Sequence, residues 1–177
     1  MKRKLQIGIM GSAASGKYSD KEVKLDKELG KLIAKSDNFL VFGAEKDQES
    51  LSTIAALECK KFAGTTIGIT YGKDKKIFDQ KSADIIIPCG LERGGGREFV
   101  LISSCDVIIT ISGGGGTLNE IAVAYQLYIP IISLENSGGW SKKLSNSFLD
   151  NRKRLFIKGV KTPVEAITLA IKESKKH

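Results

Sequence analysis

The amino-acid sequence predicts an α/β fold of three layers, in which helices cover both faces of a mostly parallel sheet of about six or seven strands. Short apolar runs rich in β-branched residues alternate with amphipathic stretches along the chain. Several of these runs end in loops of glycine and other small residues. The chain has 177 residues, of which 41% are hydrophobic and 27% charged, and is expected to form one globular domain over 1–177.

Seven apolar runs are typical of strands. They span 5–10, 38–42, 65–70, 84–88, 106–111, 130–134 and 154–157. Three consecutive isoleucines in the fourth run predict a strand that is buried on both faces. Because the strands alternate with helices, we expect right-handed crossovers and a ligand at the carboxyl ends of the strands.

The stretches between these runs predict helices. They span 20–36, 49–62, 97–104, 116–128 and 163–175. The apolar residues that recur at helical spacing in the first are Val23, Leu25, Leu29, Leu32 and Ile33. In the last, Pro163 suits the first turn of a helix. The stretch 135–151 is rich in Gly, Ser and Asn and predicts a loop or lid with little helical order.

Composition excludes several classes of protein. Cys59, Cys89 and Cys105 are far apart and form no Cys-x-x-Cys pair, so neither a zinc site nor a disulfide framework is expected. The single histidine is His177, and a catalytic acid or base would therefore have to be a carboxylate. No apolar run approaches the roughly 20 residues that cross a bilayer, and the run near the amino terminus is too short for a secretion signal. We expect a cytoplasmic protein.

The first glycine loop spans 11–17 and nearly matches the Walker A pattern Gly-x-x-x-x-Gly-Lys-Ser/Thr. Its last position is Tyr18, which cannot place a hydroxyl where the magnesium ligand belongs, and no strand ends in an Asp suited to a Walker B motif. A milder interpretation keeps Gly11 and Ser12 as contacts to a phosphate or ribose. The structural alternative is a tight turn between a strand and a helix.

The strongest signal is a run of four glycines after the strand at 106–111. The run is Gly113, Gly114, Gly115 and Gly116, followed by Thr117. Glycines let the backbone approach a ligand where a Cβ would clash. A helix that begins in the run offers unpaired N–H groups and the positive end of its dipole, which together predict an anion site. Glu120 lies one turn into that helix, either as an acid that complements the dipole or as a carboxylate beside the bound anion.

Two further residues are candidates at the same strand ends. Gly43 follows the second strand, and a single glycine there is a weaker signal that also suits a turn. Arg97 opens the helix before the glycine-run strand, where a guanidinium would bind phosphate or carboxylate. The alternative for Arg97 is a solvated surface side chain.

Arg97, Asp106 and the pattern Gly-Gly-x-Gly-Thr-x-x-Glu from Gly113 to Glu120 together resemble the LONELY GUY (LOG) superfamily of Rossmann-like proteins. Plant members of that superfamily release cytokinin bases from riboside monophosphates. The stretch 113–134 is more similar to the branch that includes molybdenum cofactor carrier proteins and bacterial nucleotide-binding proteins, and the DNA-processing protein DprA/Smf is a more remote relative. The resemblance covers about 5–134 and implies a homodimer or larger homo-oligomer.

This sequence departs from the family pattern at three places. Ser112 stands where the motif has proline, and Glu98 stands where a lysine follows the arginine. The second glycine loop is reduced to Gly43 and Ala44, which an acidic residue, Glu45, follows. These departures bear more on hydrolase activity than on nucleotide binding.

The resemblance implies a nucleotide-binding protein, and three functions stay open. In a nucleoside 5′-monophosphate phosphoribohydrolase, Glu120 would stabilise the charge that develops on the ribose while the N-glycosidic bond breaks, and Arg97 would orient the substrate. A non-enzymatic carrier would bind a phosphorylated cofactor of the molybdopterin type. A DprA-like protein would bind nucleic acid. No metal or resident cofactor is expected to be required, and the expected ligand is a nucleoside monophosphate or a molybdopterin-type molecule.

The formal net charge of +8 is unevenly placed. Residues 141–177 hold ten lysines and arginines against three acids, whereas 5–140 holds 15 against 17. An anion at the glycine loops must therefore rely on backbone amides and Arg97. We expect the basic segment 141–177 to be solvated or to close over an anionic ligand. Nucleic acid is the less expected partner, because the chain lacks a basic and aromatic stacking pattern.

Overall fold

The computed structural model describes residues 3–175, so Lys2 and His177 lie outside the described part of the chain. Its strands are β1 (Gln6–Gly11), β2 (Phe39–Gly43), β3 (Thr66–Thr70), β4 (Ile85–Pro88), β5 (Val107–Ile111), β6 (Ile131–Leu134), β7 (Ser147–Phe148) and β8 (Phe156–Val160). They form one sheet in the order β4-β3-β2-β1-β5-β6-β8-β7, and every neighbouring pair except β7–β8 is parallel. The predicted parallel α/β fold is confirmed, with eight strands in place of six or seven.

Six helices cover the sheet on both faces. They are α1 (Asp20–Lys35), α2 (Leu51–Lys61), α3 (Gly96–Ser103), α4 (Gly115–Gln126), α5 (Gly139–Leu144) and α6 (Pro163–Glu173). One apolar core joins the sheet to α1, α2 and α6, and a second joins it to α3 and α4, against which α5 also packs. α1, α3 and α6 each bury one face, with buried residues at helical spacing, whereas residues 51–56 of α2 are all buried. None of the helices formed between residues 3 and 175 is long and apolar enough to span a bilayer.

Local sequence sets where the helices begin. Ser19 caps α1: its hydroxyl accepts from the Glu22 amide at 3.4 Å, while the Glu22 carboxylate accepts from the Ser19 amide at 2.6 Å. Thr162 and Glu165 form the same reciprocal pair at α6, where Pro163 occupies the first turn. Both pairs are capping boxes, in which side chains satisfy amides that the helix itself leaves unpaired.

The chain order creates a crevice in the middle of the sheet. From β1 the strands add outward to β4, and the chain then returns to place β5 on the other side of β1. Gly11 at the end of β1 lies beside Ile111 at the end of β5. The loops that follow these two strands therefore leave the sheet together and face each other, which is the usual ligand position in an open parallel sheet.

Two expectations about the fold are wrong. β4 is not buried on both faces: it is an edge strand that pairs with β3 alone, and Ile85 and Ile87 are 49% and 40% exposed. The stretch 135–151 is not an irregular lid, because it contains the short turn Glu135–Ser137, α5 and β7.

The three cysteines are free thiols, with Cys59 and Cys105 buried.

Candidate functional site

A cavity of about 520 Å³ opens where the loops after β1 and β5 face each other. Its walls include most of the residues that the sequence predicts for the site: Gly11, Ser12, Arg97, Gly113, Gly114, Gly115, Gly116, Thr117 and Glu120. Gly43 does not line it. The basic segment expected to close over a ligand does not reach it either, since no described residue from 141 onward is part of its lining.

α5 holds the β5–α4 loop in place by donating hydrogen bonds to the backbone carbonyls of that loop. The Ser112 carbonyl accepts from the Ser141 amide at 3.0 Å and from the Ser141 hydroxyl at 2.7 Å. The Gly113 carbonyl accepts from the Trp140 amide at 3.0 Å. With its carbonyls committed to α5, the loop is fixed from the side away from the free amides.

Gly139 makes this contact possible. Its backbone has φ +53°, and an added Cβ would lie 2.5 Å from the Gly113 carbonyl oxygen and from the Ser112 carbonyl carbon. Any other residue there would push α5 away from the loop. The sequence analysis did not identify Gly139, Trp140 or Ser141 as site residues, although two adjacent glycines in the supposed lid were an available signal of close backbone approach.

The first two amides of the loop are satisfied by serine side chains. The Ser112 amide donates to the Ser137 hydroxyl at 2.7 Å, and the Gly113 amide donates to the Ser12 hydroxyl at 2.9 Å. Ser12 thus joins the β1 loop to the β5 loop across the crevice. It is 6% exposed, and its hydroxyl oxygen serves the protein as an acceptor.

The next four amides are free. α4 begins at Gly115 after Gly114, which supplies no side-chain cap, and the Leu118 amide is the first to bond back to the Gly114 carbonyl. Within residues 3–175 the amides of Gly114, Gly115, Gly116 and Thr117 donate to no protein acceptor. A Cβ added at any of the three glycines would meet nothing within 4 Å. The N-terminus of α4 therefore presents unpaired donors and its positive dipole end to open space, as an anion site requires.

Arg97 also lines the cavity and is nearly fully buried, at 4% exposure. Its Nη2 donates to Glu45 at 2.9 Å and its Nε donates to Glu98 at 3.1 Å, whereas Nη1 has no hydrogen-bond partner among the described residues. Gly43 lies directly beneath Nη1, where an added Cβ would collide with the guanidinium. Gly43 therefore leaves room for the Arg97 guanidinium, and it does not line the cavity.

Glu98 helps to hold the Arg97 guanidinium in place. It is 3% exposed, and besides pairing with Arg97 it accepts from the Gly94 amide at 3.0 Å. The residue that stands where LOG proteins have lysine is therefore a buried ion-pair partner of the arginine. It offers no positive charge to a ligand.

Glu120 is a buried carboxyl at the cavity wall. Burial raises its pKa to about 8; Glu98 and Glu45 also raise it, and Arg97 opposes them. Glu120 is therefore mostly protonated at neutral pH, when it would donate a hydrogen bond to a ligand and carry no charge. The described residues contain no cluster of three or more His, Cys, Asp or Glu side chains suited to a metal ion.

A known family model matches the part of the chain that forms these elements. The model of the SLOG cluster4 family matches residues 4–167 of this chain. The chain belongs to the SLOG cluster4 family. An uncharacterized protein of Archaeoglobus fulgidus is 28% identical over 120 residues, which cover 68% of this SLOG protein and 73% of the relative.

Solved structures share the fold over nearly the whole chain. The X-ray structure of TM1055 superposes with a TM-score of 0.83 and 26% identity, covering 95% of this chain and 99% of that one. A molybdenum cofactor binding protein from Rippkaea orientalis has a TM-score of 0.78 and 29% identity, with 98% of each chain covered. The molybdenum cofactor carrier protein of Chlamydomonas reinhardtii has a TM-score of 0.76 and 25% identity, covering 99% of this chain and 100% of that one.

The remote relation to DprA is also seen. DNA processing protein A from Helicobacter pylori aligns with a TM-score of 0.65 over 96% of this chain and 81% of that one. Its 15% identity shows a shared fold alone. Fold, family and neighbours together support a Rossmann-like protein that binds a nucleotide or cofactor.

Proposed function

We propose that this SLOG protein is a carrier that binds a phosphorylated small molecule, of nucleotide or molybdopterin type, and releases it unchanged. The observation that carries the proposal is the row of free amides from Gly114 to Thr117 at the N-terminus of α4. A phosphate at that position would accept several backbone hydrogen bonds and lie at the positive end of the helix dipole. The cavity of about 520 Å³ has room for the rest of such a ligand.

Three features of Arg97, Glu98 and Glu120 favour binding of a ligand over its hydrolysis. The charge of Arg97 is committed to Glu45 and Glu98, which hold the guanidinium at hydrogen-bond distance. Glu98 replaces the positive charge that the LOG pattern has at this position. Glu120 is mostly neutral near pH 7, so it would give little electrostatic stabilisation to a positively charged ribose transition state.

The neighbours add support from outside the chain. The structures from Rippkaea orientalis and Chlamydomonas reinhardtii are those of a molybdenum cofactor binding protein and a molybdenum cofactor carrier protein. Their similarity extends over at least 98% of this chain and so includes both loops that form the cavity.

A phosphoribohydrolase is the second candidate, because the Glu120 carboxyl lines the same cavity as the free amides. In that reaction Glu120 would donate its proton to the departing base as the N-glycosidic bond breaks. Water would supply the new hydroxyl at the anomeric carbon, and its remaining proton would return to the Glu120 carboxylate. The products would be the free base and ribose 5-phosphate.

Calorimetry and a base-release assay with AMP separate the two functions. We expect saturable binding of AMP or of molybdenum cofactor, with no free adenine after prolonged incubation. Adenine released by the wild type and by a Glu28→Gln control, but not by Glu120→Gln, would contradict the carrier and support the hydrolase. Glu28 suits the control because it is an exposed glutamate on α1 outside the cavity. Failure to bind either ligand would contradict both functions.

A further inference from the structure

We propose that Lys17 completes a divided phosphate site, in which the amides come from the β5–α4 loop and the full positive charge comes from the β1–α1 loop. The inference rests on the proposed function and specifies its ligand as a phosphate monoester, which carries up to two negative charges near neutral pH. Lys17 belongs to the loop that nearly matches a Walker A pattern, and the carrier function leaves that lysine without a role.

Lys17 is an uncommitted cation at the cavity. It lines the cavity together with the free amides of α4, and its side chain is exposed. Between residues 3 and 175 its ammonium forms no ion pair with a carboxylate and stacks on no aromatic ring. Arg97 is the other cation in the cavity lining, and it is paired with two glutamates.

The charge on the ligand requires such a partner. A helix N-terminus offers the equivalent of about half an elementary charge, so it balances only part of a phosphate dianion. Arg97 pairs with Glu45 and Glu98, and Glu45 also pairs with Arg93, so Lys17 is the cation in the cavity lining that no carboxylate of residues 3–175 pairs. Hydrogen bonds between an ammonium and a phosphate are among the stronger polar contacts in proteins.

The backbone of the β1–α1 loop holds Lys17 in place before any ligand binds. The Ala14 amide donates to the Glu49 carbonyl at 2.9 Å, and the Ser15 amide donates to the Gln48 side chain at 3.1 Å. Lys17 itself has φ +51°, in the left-handed region that non-glycine residues seldom occupy. Such a conformation persists when the surrounding structure over-determines it, and it is common at ligand sites.

This arrangement differs from a P-loop, where amides and lysine belong to one loop and one helix. Here α1 begins at Asp20, and a capping box satisfies the Ser19 and Glu22 amides with the side chains of Glu22 and Ser19. The β1–α1 loop therefore contributes a lysine while no residue of α1 lines the cavity, and the β5–α4 loop contributes free amides without a lysine. Neither loop alone would bind a phosphate dianion well.

Calorimetry with AMP tests this division. We compare wild type, Lys17→Met and Lys17→Arg with Lys24→Met, which removes an exposed lysine on α1 outside the cavity. Lys17→Met should weaken AMP binding about 10- to 100-fold, the loss of one charge-assisted hydrogen bond. Lys17→Arg should recover most of the affinity, and Lys24→Met should change it less than twofold. Adenosine, which has no phosphate, should bind Lys17→Met and wild type equally.

The outcomes separate this inference from the proposed function. If wild type binds AMP, Gly115→Asp abolishes binding and Lys17→Met binds as wild type does, the divided site is overturned while the carrier stands. Equal losses in Lys17→Met and Lys24→Met would also overturn it, because they would reflect the net charge of the protein and not a contact. If wild type binds neither AMP nor inorganic phosphate, the divided site is overturned; the carrier fails as well if molybdenum cofactor does not bind either.

Discussion

The β1–α1 and β5–α4 loops are matched in position and opposite in chemistry. Both leave neighbouring strands at the same edge of the sheet, and both contain glycine. The first ends in a helix that starts with a capping box, in which the side chains of Glu22 and Ser19 satisfy the Ser19 and Glu22 amides. The second ends in a helix that starts on glycine and has no side-chain cap. The pattern that looks more like a phosphate loop in the sequence is therefore the one whose helix start is capped by side chains.

An anion site thus depends on which backbone amides are left without a hydrogen-bond acceptor in the protein. Glycine permits close approach, but a capping box just downstream removes the donors that a phosphate would use. At α4 the donors survive because Gly114 has no side chain to cap them. Four substitutions test this contrast, beginning with the one expected to have the largest effect.

Gly139→Ala should damage the β5–α4 loop most. Its Cβ would meet the Ser112 and Gly113 backbone at 2.5 Å in a left-handed conformation. Overpacking and backbone strain together should lower the free energy of unfolding by about 3 kcal/mol and weaken AMP binding. Denaturant titration and calorimetry measure the two effects. Gly95→Ala is the control, since its Cβ meets nothing within 4 Å; equal stability in both variants would show that the α5 contact does not hold the loop.

Gly115→Asp should remove the anion site without unfolding the protein. The new carboxylate would occupy the free amides in place of phosphate and weaken AMP binding about 100-fold, or about 2.7 kcal/mol. An acid in the first turn also complements the helix dipole, so the melting temperature should stay the same or rise slightly. Gly115→Ala separates charge from size: if it weakens binding as much as aspartate does, the loss is steric and the amides are not the phosphate donors.

The pH dependence of stability should report Glu120. Its folded pKa of about 8 lies above the ordinary glutamate value near 4.3, so the folded state binds more protons between these values. Stability should therefore fall as pH rises from about 5 to 8, with a slope of up to about 1.4 kcal/mol per pH unit for one group. Urea titrations across this range should show a shallower fall for Glu120→Gln. Asp26, whose pKa burial also raises, accounts for part of the remaining slope, and Asp26→Asn measures it.

Ser19→Ala should have the smallest effect on the site. Loss of the cap should destabilise α1 by about 1 kcal/mol, as Thr162→Ala should at the matching capping box of α6. AMP binding should change less than twofold, because the amides of α1 belong to no phosphate contact. A tenfold change in AMP affinity for Ser19→Ala alone would show that the start of α1 takes part in binding, contrary to the comparison.

Most of the fold could be predicted because local signals agree with the tertiary structure. β-branched runs, helical periodicity and the Pro163 start all specify elements within a few residues of those observed. The prediction for β4 was wrong because three isoleucines suit a central strand, and strand order is not encoded in composition. Only the sheet order shows that nothing pairs with its outer edge between residues 3 and 175.

The free amides of the candidate site could be predicted from the sequence, whereas the residues that hold the site in place could not. Four glycines at a strand end identify the start of α4 from the sequence alone. The roles of Gly43 beneath Arg97 and of Gly139 behind Gly113 depend on contacts between residues far apart in the chain. α5 was taken for a loop because the stretch 135–151 around it is rich in Gly, Ser and Asn, which are unfavourable to helices. The Ser141 and Trp140 amides hold the Ser112 and Gly113 carbonyls.

The hydrogen bonds between α5 and the β5–α4 loop have a consequence for local unfolding. Because the Trp140 and Ser141 amides hold the loop carbonyls, α5 cannot detach without dissolving the geometry that presents the α4 amides. Opening of α5 and loss of ligand would then be a single event, so a bound ligand should slow amide hydrogen exchange in α5. A six-residue helix that contributes only Gly139 to the cavity wall would thereby set how long the cargo stays bound.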